Sequence, residues 1–111
     1  MHTLSSALLI KALDGLSARA EAIASNVANA QSPHYAPVKV TFEEALAAAA
    51  HRGSRSVAAV RPQFVTEASD GVRLDIEIAD SAATAGRYAA LVEVLNRELQ
   101  IRSLAQSGGR S

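Results

Sequence analysis

The chain contains no cysteine and no tryptophan. Without cysteine it has neither a disulfide frame nor thiolate chemistry. Two phenylalanines and two tyrosines are its only aromatic residues, and much of its other apolar content is alanine, which buries little area. A core made from such residues is thin, and the composition suits close helix–helix packing better than a wide globular interior. Eleven basic and 11 acidic residues cancel, so the basic face that nucleic-acid binding needs is missing. No apolar run approaches the roughly 20 residues of a membrane-spanning helix. The opening MHTLSSALLIKALDGL has no basic segment followed by a long apolar one, and no cleavable secretory signal is read there.

Catalytic and metal-binding patterns are equally scarce. His2, His34 and His51 stand at no metal-ligand spacing, and read as solvated or loop histidines. The carboxylate pairs Glu43–Glu44 and Asp75–Glu77 fall at expected helix starts, where the helix dipole already favours acids. No Gly-x-Ser-x-Gly elbow is present. Gly108-Gly109 is terminal and follows no strand, so it is no phosphate loop. Neither a catalytic residue, a metal site nor a cofactor is expected.

What is there is helical periodicity at both ends of a chain of 111 residues, a length that suits one domain. Leu9, Leu13, Leu16, Ala20, Ile23, Val27 and Ala30 alternate by four and three, which predicts one helix over residues 4–31 with a heptad seam. Thr3 or Ser5 can cap its start. Gly15 costs up to about 1 kcal/mol relative to Ala inside a helix; it marks either the close approach of another helix or a tolerated defect. Pro33 stops the helix. Leu74, Ile78, Ser81, Ala85, Tyr88, Val92, Leu95 and Leu99 repeat the four-three step, predicting a second helix over 75–106 capped by Asp75. Leu91, Ile101 and Leu104 widen its stripe beyond what one partner helix covers. Arg87 reads as the rim beside Tyr88 or as a charge aimed at another subunit.

Between the helices, Thr41 and Glu44 have the spacing of a capping box, predicting a short helix over about 42–50. Gly53, Pro62 and the Asp70-Gly71 turn signal break up residues 51–73. SVAAV, QFVTE and VRLD read either as short strands or as an irregular loop. The expected fold is mainly α. Long terminal heptad helices form an antiparallel coiled coil, with a short helix and a loop or small β segment between them. One domain divides into an N-terminal helix and loop (1–46), a variable middle (47–73) and a C-terminal helix (74–111).

One stretch does not fit ordinary helix filler. EAIASNVANAQSPHYAP, residues 21–37, keeps Ser25, Asn26 and Asn29 inside a helix, although their side chains compete for backbone groups. Such residues can cap their own helix end, or satisfy backbone groups of the adjoining loop or of a neighbour. Within it, ASNVANAQSPHYAP resembles the N-terminal signature of bacterial flagellar rod and hook proteins, roughly Ala-Ser-Asn-Ile/Leu-Ala-Asn-Ala-x-Thr-Pro-Gly-Tyr. Ser25, Asn26, Ala28, Asn29, Ala30, Pro33 and Tyr35 fall in place. Residues 74–105 are similar to the C-terminal helix of the proximal-rod members, through Leu74, Asp75, Glu77, Arg87, Tyr88, Ala90, Leu91 and Leu95. Ser32 stands where Thr is usual and His34 where Gly is usual.

The resemblance implies a structural role. Such subunits pair their terminal helices into a coiled coil and stack around a central channel. They cross the inner membrane through the flagellar export apparatus without a cleaved signal and become part of the periplasmic rod of the basal body. It implies as partners other copies, other rod proteins, and a FliE-type adaptor and the MS ring at the rod base; no small-molecule substrate is implied. Ser25, Asn26, Asn29, Pro33, Tyr35, Arg87 and Tyr88 are the expected assembly residues. Leu9, Leu13, Leu16, Ile23, Val27, Ile78, Val92, Leu95 and Leu99 are the expected packing residues. Two other function classes stay open: a helical adaptor or export chaperone of a type III secretion system, and a small helical enzyme, for which no constellation is found.

Overall fold

The computed structural model describes residues 3–68 and 71–108. His2, Asp70 and Gly109, which figure in the sequence reading, lie outside them. The chain runs α1 (Leu4–Ala28), β1 (Val38–Thr41), α2 (Glu43–Ala50), α3 (Ser54–Ala59), β2 (Gln63–Thr66) and α4 (Leu74–Gly108). The whole is a flat rod of 65 × 26 × 14 Å. A 35-residue α4 accounts for about 52 Å of that length at 1.5 Å per residue.

Thr3 is the N-cap of α1, its side chain accepting from the Ser6 amide, so one of the two expected caps is right. The helix ends at Ala28, three residues before the sequence limit of 31, because Asn29 closes it. The Asn29 backbone N–H and side-chain Nδ2 both donate to the Ser25 carbonyl, at 3.0 and 2.9 Å. The C-terminal helix starts and ends close to expectation, but Asp75 lies inside its first turn rather than at the cap.

α1 and α4 lie along one another in opposite directions. At one end Thr3 and Ser5 donate to the two carboxylate oxygens of Glu98, each at 3.0 Å. At the other, Asn26 donates to Glu77 at 3.2 Å. From Ser5 to Asn26 and from Glu77 to Glu98 the separation is the same, 21 residues, which is three heptads. On α4, burial follows that spacing, with Thr84 buried and Glu77, Leu91 and Glu98 half-buried.

This seam corrects the expected one. Leu16 and Ile23 are buried, and Leu9, Leu13, Val92 and Leu95 are half-buried, but Ala20, Val27, Leu74, Ile78, Ser81, Ala85, Tyr88 and Leu99 are exposed. The reason is that α1 serves two neighbours. One side takes α4 through partly polar contacts, and the other takes the β1–α2–α3 layer. The apolar core lies on that second side: Leu16, Ala22, Val40, Phe42, Leu46, Ala49 and Val57, with Leu8 and Ala12 packed against it. The sequence periodicity is real, but much of the α4 stripe faces outward.

Between α1 and α4 lie two short helices and one strand pair. β1 and β2 are antiparallel, with Val38 opposite Thr66 and Val40 opposite Phe64. QFVT is a strand, one of the two expected alternatives; SVAAV lies largely in α3, and the last two residues of VRLD open α4. Among the described residues β1 is the strand that was missed, although VKVT alternates β-branched and polar residues as a half-buried strand does. The capping box at Thr41 is not formed. Thr41 is the last residue of β1, and Phe42 occupies the N-cap of α2 with no side-chain cap bond.

Phe42 stands there because of its ring. It is buried against α1 at Gly15, where a β-carbon would overlap the ring carbons. Gly15 therefore does mark a close approach, by an aromatic ring rather than by a helix. Gly15→Ala gains about 1 kcal/mol of helix propensity, yet it overpacks this contact, which typically costs about 1–3 kcal/mol. A net loss of stability is expected by urea denaturation; a gain would show that the ring is free to move aside.

Candidate functional site

The residues singled out in the 24–37 stretch converge on one junction, where α1 ends, the loop turns and β1 begins. Its centre is Asn26, which is 2% exposed. The Asn26 Oδ1 accepts from the Val38 amide at 2.9 Å and from the Tyr35 hydroxyl at 2.9 Å. Its Nδ2 donates to the Val38 carbonyl at 3.0 Å and to Glu77 Oε2 at 3.2 Å. A side-chain amide offers two donors and two lone pairs, and here all are used. Asn26 meets Val38 as a neighbouring strand would, taking both its N–H and its C=O.

Tyr35 gives its one hydroxyl proton to Asn26, so the 3.2 Å contact between the Tyr35 and Ser25 hydroxyls runs from Ser25 to Tyr35. Ser32 donates to Asn29 Oδ1 at 3.4 Å. Ser25, Asn26, Asn29 and Tyr35 thus form one local network that satisfies the loop and β1 of the same chain. Pro33 and His34 are exposed at the turn. His34 has φ 62°, so it takes the left-handed conformation that glycine adopts without cost.

A second α1 side chain, missed in the sequence, also binds the edge of β1. The Arg19 guanidinium donates to the Val40 carbonyl at 2.8 Å and binds both oxygens of Glu43, at 2.7 and 2.8 Å. It also stacks over the Phe42 ring at 4.9 Å, a favourable cation–π placement. The hydrogen bond from Arg19 holds the Glu43 carboxyl below its usual range. The available signal was spacing: Arg19 and Asn26 are seven residues apart and share a helix face.

Arg87 lines an open groove of about 520 Å³ between α1, β1 and α4, where Arg19, Lys39, Glu77 and Asp80 bring charges of both signs. Arg87 makes no ion pair among the described residues. Tyr88 beside it is 41% exposed, so neither residue joins the junction. Of the carboxylate pairs, Glu43 is taken by Arg19, Asp75 by Arg73 and Glu77 by Asn26. Among the described residues no three His, Asp or Glu gather as a metal site, and no helix is long and apolar enough to cross a membrane. No known family model and no curated protein matches the chain.

Asn26→Ala strands the Val38 amide and carbonyl and the Tyr35 hydroxyl, at about 1–3 kcal/mol for each buried group left unpaired. A loss of at least about 2 kcal/mol is expected by chemical denaturation; a near-neutral result would mean that water replaces the amide. His34→Gly relieves the left-handed strain of about 1–2 kcal/mol and returns part of it through a more flexible unfolded chain. The expected outcome is a small rise in thermal midpoint, and a fall would place the turn in another conformation.

Proposed function

We propose that the chain is a structural subunit of the proximal rod of the bacterial flagellar basal body, of the FlgB type. Its terminal helices pair as an antiparallel coiled coil and assemble with neighbours into a hollow shaft that transmits torque and conducts exported subunits. The observation that carries this reading is the Asn26–Glu77 contact. It joins the two separate segments that resemble the rod proteins, 24–37 and 74–105, into one junction. The equal 21-residue spacing of the contacts on both helices supports heptad pairing. The apolar stripe left on α4 supports assembly: Ile78, Leu99, Ile101 and Leu104 are exposed, and such a row on one long helix calls for a partner. Residues after Glu98 extend past the start of α1, so Leu99, Ile101 and Leu104 have no cover from it.

On this reading the subunit passes the flagellar export apparatus without a cleaved signal. It then meets other rod proteins, an adaptor of the FliE type and the MS ring in the periplasm. Deleting the gene should abolish swimming and remove the rod from purified basal bodies in electron micrographs. The intact gene should restore both, and one lacking residues 75–111 should not. Leu104→Asp should change the stability of the isolated chain by no more than about 0.5 kcal/mol, as surface substitutions do, yet fail to restore swimming. Complete basal bodies in the deletion strain would remove the rod assignment.

A further inference from the structure

The two edges of the β1–β2 ribbon are unlike. Val38 gives its amide and carbonyl to Asn26 rather than to β2, so Val38–Thr66 is a non-hydrogen-bonded pair. By alternation Val40–Phe64 is another. The amides and carbonyls of Phe64 and Thr66 therefore point away from β1, and no described residue takes them. On the β1 edge Asn26 and Arg19 take three of the four outward groups of Val38 and Val40, while the β2 edge is open. All four residues of β2 are exposed, Phe64 at 56% and Val65 at 47%. The stretch carries neither charge nor proline, two of the devices that keep an edge from pairing with another strand.

We propose that this edge binds the β2 strand of a second copy, antiparallel about a two-fold axis at Val65, to give a four-stranded sheet. Three features fix the occupant and register. Antiparallel pairing of outward-facing residues places Phe64 opposite Thr66 of the partner copy twice, each pair exchanging both backbone bonds. A shift that centres the pairing on Phe64 would put Thr66 opposite Pro62, which has no N–H to donate. The Val65-centred register also matches charge. It sets the Gln63 amide opposite the Glu67 carboxylate of the other copy, which Lys39 of that copy also holds at 3.0 Å, with Arg61 on the adjacent diagonal. Arg61 donates only to the Ala58 and Val60 carbonyls and has no carboxylate among the described residues. The two Phe64 rings meet diagonally, on the face that Phe64 shares with Val40. A contact of this length is far below the roughly 1,200 Å² of a stable interface, so the dimer is weak and reversible.

The test uses the whole chain, which has no native cysteine. Residues opposed at a non-hydrogen-bonded position have Cα atoms about 4.5 Å apart, within disulfide reach. Under mild oxidation Val65→Cys should give a covalent dimer at least tenfold faster than Ala47→Cys, placed on the exposed side of α2. Adding Thr66→Pro, which removes an outward amide and no bond to β1, should cut that rate at least tenfold. Hydrogen exchange should slow at the Phe64 and Thr66 amides as concentration rises in the unmodified chain. Equal linking at positions 65 and 47 would overturn the proposal. So would a dimer that survives Thr66→Pro with those two amides unprotected, since the helices would then be holding it.

Discussion

The arrangement depends on one buried amide. Among the described residues, the Asn26 side chain alone bonds to the loop, β1 and α4 together. A buried polar group is costly unless every donor and acceptor is met, and its four bonds meet that condition only with the loop turned back, β1 at its present height and Glu77 alongside. An apolar residue of the same size would fill the space but would not choose among sliding positions of β1. The amide therefore supplies register, while the hydrophobic cluster of Leu16, Val40, Phe42, Ala49 and Val57 supplies most of the buried apolar surface.

The same division runs through the helix pair. Both ends of the α1–α4 seam are hydrogen bonds from α1 to an α4 carboxylate, 21 residues apart on each helix. Such contacts are weak in stability, since several are solvent-exposed. They are specific in position, because a slide of one turn breaks both ends at once. Many of the apolar side chains that elsewhere would fill such a seam, among them Ile78, Leu99, Ile101 and Leu104, are left exposed on α4.

Much of this was legible in the sequence. The two long helices followed from their periodicity, the Thr3 cap from its residue type, and the odd polar residues of 21–37 marked a real junction. The burial register of α4 was not legible. Period alone shows that a stripe exists and is silent about which neighbour takes it, and the side facing α1 mixes Glu77, Thr84 and Glu98 with Leu91, Val92 and Leu95. β1 was hidden by its length, since four residues give too few alternations to stand out. The role of Arg19 required knowing that β1 lies beside α1, a tertiary fact with no local trace beyond its seven-residue spacing from Asn26.

Closing one border of a ribbon with side chains has a consequence for growth. A strand pair with two open borders can add copies without limit, which is how fibrils elongate. Here Asn26 and Arg19 occupy both outward groups of Val38 and the Val40 carbonyl, so the β2 side is the one left open for addition. Two molecules joined there, as proposed, would present only these largely occupied borders to the solvent. On that proposal the helix acts as a terminator, which would limit pairing through this open strand to two copies without a proline or a charge inside the strand itself.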